Sequence, residues 1–247
     1  MRLLIVNPNI SESLSQLMED TARRAAAPGT EITMLTAPFG VEYIETRFEA
    51  IIGAYAAATM VAEHAAGHDA VVIAAFGDPG LAGIREILDV PVIGVTEAAL
   101  ASACLLGSRF SIVAISRRIT AWYRESVEQN GLIGRLASIR SLDRPLGDVA
   151  SVQTDNAARL KELCMDAIEH DGADVIIPAG APLSGLARTI AADVPVPLVD
   201  SVSSAVRHAE SLVAMKTGAA RAGSFARPPT KPVKGLPEPL MRLMRGA

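Results

Sequence analysis

A chain of 247 residues, half of them apolar and only 4% aromatic, is long enough for a sizeable α/β core and too apolar for a disordered protein. A net charge of −4 and basic residues scattered everywhere except the C-terminal tail argue against a nucleic-acid partner. Two cysteines, Cys104 and Cys164, provide neither a disulfide framework nor a metal-ligand spacing, and no run approaches the roughly 18 apolar residues of a membrane span.

In chain order, short β-like runs alternate with helical patterns. Leu3 to Val6 reads as a first strand, too short an apolar stretch for a signal peptide. The polar turn Asn7-Pro8-Asn9-Ile10-Ser11 then caps a helix from Glu12 to Ala26. Glu31 to Thr36 is a second strand, ending at Ala37-Pro38-Phe39-Gly40. Val41 to Arg47 fits no regular element, and a long Ala-rich helix follows from Phe48 to Ala66. Ala70 to Ala75 is a strand of small and β-branched residues. It runs into Phe76-Gly77-Asp78-Pro79-Gly80 and a helix over Leu81 to Leu88. Val90 to Val95 is a further strand, with Thr96-Glu97 starting the helix Ala98 to Leu106.

The rhythm then repeats. Phe110 to Ile115 is a strand followed by a polar turn at Ser116, Trp122 to Asn130 a helix closed by Gly131, and Ala137 to Leu142 another strand. Asn156 to His170 is an amphipathic helix. Asp174 to Ile177 leads into Pro178-Ala179-Gly180-Ala181-Pro182. Ser184 to Ala191, a strand Val194 to Val199 and a last helix Ser201 to Met215 complete the pattern. After Lys216 the periodicity is lost, which predicts an extended arm packing on the body or on a neighbour.

The two halves align directly. Val71-Val72-Ile73 lies over Val175-Ile176-Ile177, Gly80-Leu81-Ala82 over Gly185-Leu186-Ala187, and Asp89-Val90-Pro91-Val92 over Asp193-Val194-Pro195-Val196. The expected fold is therefore α/β: two similar halves related by a pseudo-twofold, each a parallel sheet flanked by helices, with a cleft between them. Residues 1–97 plus 205–247 form one half and 98–204 the other. Ligands of open parallel sheets bind beyond the C-terminal ends of the strands, so the loops after the two matched strands mark the site.

The motifs Asn7-Pro8-Asn9, Phe76-Gly77-Asp78-Pro79-Gly80-Leu81 and Val92-Ile93-Gly94-Val95-Thr96-Glu97, with the internal repeat, resemble the aspartate/glutamate racemase superfamily, in particular its hydantoin and allantoin racemase branch. The resemblance implies an enzyme that needs no metal or cofactor, is often a homo-oligomer, lies in the cytoplasm, and moves a proton at a carbon next to a carbonyl of a small molecule. It also implies two cysteines on opposite faces of that carbon. Inversion needs a base on one face and an acid on the other, and thiols with perturbed pKa values meet that need. The two positions correspond here to Ala75 and Gly180. Neither side chain can carry a proton, and Cys104 and Cys164 sit at core-like helical positions.

Residues near the strand ends remain as candidates. Asp78 is either a base or the cap of a helix, and Glu97 either lines the cleft or caps. Asn7 and Asn9 suit hydrogen bonding to a carboxylate or a cyclic imide. Thr96 and Ser116 offer hydroxyls. Phe39, Ala75, Phe76, Gly77, Gly180 and Ala181 complete the expected substrate-binding set, with backbone N–H groups around Phe76 and Gly77 able to hold an oxyanion. Asp200-Ser201 is the second-half counterpart of Thr96-Glu97, and Glu42 and Tyr43 lie in a segment that is either a lid or a surface loop. Three readings stay open: a racemase with an unorthodox acid or base, a decarboxylase-like lyase, and a small-anion-binding protein on the same scaffold.

Overall fold

The structure is a computed structural model that describes residues 1–142, 151–220 and 222–245. Strands β1 (Arg2–Asn7), β2 (Glu31–Thr36), β3 (Ala70–Ile73) and β4 (Val92–Gly94) form a parallel sheet in the order β2-β1-β3-β4. Strands β5 (Phe110–Ala114), β6 (Leu136–Ser141) and β7 (Val175–Ala179) form a second parallel sheet in the order β6-β5-β7. The first sheet is accompanied by α1 (Glu12–Ala25), α2 (Arg47–His64) and α3 (Leu81–Ile87). After α4 (Val95–Leu106), the second half contributes α5 (Thr120–Gln129), α6 (Val152–Asp155), α7 (Ala157–Glu169) and α8 (Leu186–Ile190). Helices α9 (Ser201–Met215) and α10 (Glu238–Arg245) close the chain.

The pseudo-twofold extends to side chains. Asp69 accepts a hydrogen bond from the Arg2 amide at 2.6 Å, where β1 starts. Asp174 does the same for the Ser108 and Arg109 amides at 2.9 and 2.8 Å, just before β5. The fourth strand is where the halves part. Val194 to Val199 reads as a strand, yet it makes a single bridge, Ile176 to Leu198. Pro195 and Pro197 lack N–H groups, so this stretch cannot keep up a ladder. Its pairing is limited to Ile176 N–H to Pro197 O at 3.0 Å and Val199 N–H to Ile176 O at 2.8 Å.

The inner strands β1, β3, β5 and β7 are covered on both faces, which is why they are largely apolar runs and not alternating ones. Every residue of β3 is buried. Helix α4 joins the halves: Val95 and Ala98 pack in the first core, Ala99, Leu100 and Ala103 in the second. Helix α9 returns to the first sheet through Val202, Ala205, Val206 and Ala209. The tail differs from the expected extended arm. It ends in α10, whose buried Leu240 and half-buried Leu243, three residues apart, share one helix face and pack toward α2. Arg227 anchors the approach to α10 by an ion pair with Asp89. Among the described residues no helix is long and apolar enough to cross a membrane.

Candidate active site

The loop after β3 is tightly wound. Asp78 N–H reaches back to Ala75 O at 3.0 Å, and Gly77, Asp78 and Gly80 all have positive φ, of 104°, 47° and 82°. Glycine adopts these values freely, whereas Asp is one of the few other residues that tolerate them. Asp78 is held there by its carboxyl, which accepts from the Thr96 and Glu97 amides at 2.9 and 3.0 Å. It thus sits at the positive end of α4. Thr96 answers with its hydroxyl oxygen, which accepts from Gly77 N–H at 2.6 Å.

The second half uses a comparable tether with a different donor position and a different acceptor. Gly185 N–H donates to Asp200 Oδ2 at 2.6 Å, while Asp200 Oδ1 caps α9 by accepting from Ser203 N–H at 2.7 Å. Asp200 stands where Thr96 stands in the first half. Each loop is therefore tied to the helix that follows the next strand, and these ties set the positions of Ala75 and Gly180.

Those two residues line one small cavity, of about 30 Å³, walled by both halves. Asn9 and Phe76 contribute from the first half, Tyr123, Ala181 and Pro182 from the second, and Tyr43 and Ile44 from the segment before α2. That segment, which fits no regular pattern in the sequence, is held in place as part of the cavity wall. Glu49 accepts from the Glu45 and Thr46 amides at 2.8 Å each. Arg47, immediately after it, grips Glu125 on α5 through Nε at 2.8 Å and through a second, shorter contact from Nη2.

The structure brings together only part of the expected set. Asn9 lies on the cavity wall and is 3% exposed. Its Oδ1 accepts from Asn7 Nδ2 and Ser11 N–H, both at 3.0 Å, so its amide nitrogen is left as a donor. Asn7 is spent internally, since its Nδ2 also donates to Ser15 Oγ at 2.9 Å. Phe39 pairs with Tyr55, centroids 5.8 Å apart, outside the cavity lining. Ser116 Oγ accepts from Arg118 N–H at 3.1 Å and makes a turn. Glu97 accepts from Gly94 N–H at 3.2 Å and forms an ion pair with Arg85, facing α3. Neither Asp78 nor Glu97 is on the wall. Cys164 is buried, its thiol pushed up to about 11 by desolvation, and neither it nor Cys104 lines the cavity. No group of three or more metal-ligating side chains occurs among the described residues.

The sequence reading passed over Tyr123. The signal available was scarcity: the chain has three tyrosines, and two of them, Tyr43 and Tyr123, are the titratable groups on this wall. Both phenols are held above their ordinary pKa, Tyr43 by partial burial and the charges of Glu45, Glu49 and Glu42, Tyr123 by burial and then Glu45. The carboxyl of Asp78 is pushed up to about 7. Burial is the largest cause, opposed by the Thr96 and Glu97 hydrogen bonds, and the Glu97 charge adds to the rise.

That shift predicts a pH dependence of stability. Between about pH 4, where the unfolded chain loses the Asp78 proton, and about pH 7, where the folded chain does, the native state binds more protons. Stability from this group is thus fully present below the unfolded pKa and is lost as pH rises through the folded one. Melting temperatures measured across this window should fall less steeply for Asp78→Asn than for the parent. Equal slopes would show that Asp78 titrates alike in both states.

This geometry can be set beside known proteins. Residues 3–209 match the family Asp/Glu/Hydantoin racemase. The chain belongs to that family. It is 37% identical over 235 residues to hydantoin racemase of Paenarthrobacter aurescens, covering 94% of this chain and 99% of that protein. Among solved structures, allantoin racemase from Klebsiella pneumoniae superposes with a TM-score of 0.92 at 33% identity, covering 97% of this chain and 98% of that one. Allantoin racemase from Pseudomonas fluorescens gives 0.88 at 35% identity, with 95% and 100% covered. The racemase-family scaffold, two parallel sheets flanked by helices, accounts for the whole described fold. The chain is accordingly a hydantoin-racemase-like enzyme of the isomerase class.

Proposed function

We propose that the enzyme moves a proton at the carbon next to a carbonyl of a small cyclic ureide or amino-acid-like substrate, without a cysteine pair. One observation carries this reading: the loops after β3 and β7 put Ala75 and Gly180 on the wall of a single cavity. In this reading they are the two places where family members carry thiols. The acid–base role expected of Asp78 and Glu97 is given up, because their carboxyls hold helix amides and Arg85. What the wall offers is donors. Asn9 Nδ2 is one, and the backbone N–H groups of Phe76 and Ala181 have no acceptor among the described residues. Donors aimed at a carbonyl oxygen stabilise the enolate formed when the adjacent carbon loses its proton, and water carries the proton. A cytoplasmic location and a homo-oligomeric state belong to the same proposal, the latter supported by Phe48 and Ile51 on α2, 72% and 68% exposed.

A second reading, a small-molecule-binding protein on the racemase scaffold, is favoured by the lack of any titratable side chain on the wall besides the two phenols. Proton NMR in heavy water with chiral hydantoins, allantoin, aspartate and glutamate separates the two. Loss of the α-proton signal above the enzyme-free rate, with falling optical rotation, is the expected result. Exchange should also survive alkylation by iodoacetamide, since Cys104 and Cys164 lie off the cavity. No exchange with any of these compounds, in folded protein, leaves the binding reading.

A further inference from the structure

Tyr123 has no part in the expected site, yet its placement is that of a working group. The residue is 1% exposed. Its ring is fixed against Phe76, centroids 4.5 Å apart at 52°, and against Trp122 at 6.0 Å. A Cβ at Gly180 would stand 3.5 Å from the phenol oxygen. The missing side chain at residue 180 therefore leaves the hydroxyl bordering the cavity that Ala75 faces from the other half. Among the described residues this hydroxyl has no hydrogen-bond partner. A tyrosine hydroxyl this enclosed seeks a partner, and its oxygen meets the cavity, where a ligand atom can take the place of water.

We propose that Tyr123 is a catalytic residue whose hydroxyl donates a hydrogen bond to the substrate carbonyl oxygen and holds that oxygen as it becomes an enolate. The inference rests on the carbon-acid reading above. The C–H pair of electrons becomes the new C=C bond and the carbonyl π pair moves to oxygen. The proton leaves to water, and a proton from water returns to carbon in the reverse step. The phenol O–H is not broken. Burial and the nearby Glu45 charge both keep its proton in place, which suits a donor and disqualifies a base.

Tyr123→Phe keeps the ring on Phe76 and removes only the hydroxyl. A hydrogen bond to a charged oxygen is worth roughly 10- to 100-fold, and it strengthens as charge develops. The variant should therefore lose that factor in kcat for exchange of 5-methylhydantoin, with KM changed less than about threefold and an unchanged melting temperature. Binding supplies an independent readout through Trp122, the one tryptophan of the chain. Barbiturate, a planar ring that carries an enolate oxygen at neutral pH, should bind the parent more tightly than neutral hydantoin, and Tyr123→Phe should erase that preference. An unchanged kcat, or equal losses for barbiturate and hydantoin, overturns the assignment. If the parent exchanges no proton but shows a Tyr123-dependent preference for barbiturate, the donor site stands and the racemase reading falls. If the parent binds neither ring, the assignment falls as well.

Discussion

The double variant Ala75→Cys/Gly180→Cys is expected to exchange and racemise hydantoins at least 100-fold faster than the parent, each positioned acid or base being worth about 10²–10⁴ in rate. That corresponds to roughly 3–5 kcal/mol of barrier per group. Both positions line the cavity. A Cβ at Gly180 meets Tyr123 Oη, Pro182 Cδ and Ile115 Cδ1 at 3.5, 3.7 and 3.8 Å, all ordinary contacts. The cost lies in the backbone, since φ at Gly180 is +106° and a side chain there stores about 1–3 kcal/mol of strain. Ala75→Cys alone carries no such cost, and with a thiol on one face it should raise deuterium exchange more than loss of optical rotation. The α-proton signal and polarimetry, followed on the same sample, test both statements. Rates equal to the parent in folded double variant would mean that the two positions do not flank the reacting carbon.

Gly77→Ala should cost on the order of 3 kcal/mol of stability and abolish ligand binding. The backbone there has φ +104°, and the new methyl would lie 2.2 Å from Trp122 Cζ2 and 2.6 Å from Cη2, atoms of a rigid ring. Trp122 must then move, and it neighbours Tyr123 on α5. The Gly77 N–H bond to Thr96, which ties the loop to α4, strains with it. Gly83 is the internal control. It lies inside α3, and a methyl added there would have nothing within 4 Å, so Gly83→Ala should gain up to about 1 kcal/mol from helix propensity alone. Urea unfolding of the two variants measures the contrast. Similar midpoints for both would remove the argument from close packing at Gly77.

The architecture was legible because its signals are local. Runs such as Val71-Val72-Ile73 and Val175-Ile176-Ile177 are apolar throughout, as strands covered on both faces must be, and the glycines at 77, 80, 180 and 185 mark turns where the chain takes positive φ. The residues Asp89-Val90-Pro91-Val92 and Asp193-Val194-Pro195-Val196 exposed the repeat. They did not disclose that Pro197, two residues after Pro195, reduces the second copy of the strand to one bridge. The helix α10 also escaped notice, because eight residues with two apolar contacts make too short a periodic pattern to stand out from a Pro-rich tail.

By itself the sequence determined two α/β halves, their internal symmetry, the pair of loops that face one another, and the family motifs within them. Each of these depends on neighbours within a few residues or on a repeat visible along the chain. Which polar groups meet the cavity was decided only by tertiary structure. Asp78 and Glu97 carry the right chemistry at the right strand ends, but the amides opening α4 and the guanidinium of Arg85 engage their carboxyls first. Tyr123 lies in a helix of no special sequence, and the packing of α5 on Phe76 brings its hydroxyl beside Gly180. A carboxyl is drawn to whichever donors the fold brings nearest, and a buried phenol borders whatever space its ring packing leaves open; both are set by contacts between residues far apart in the chain.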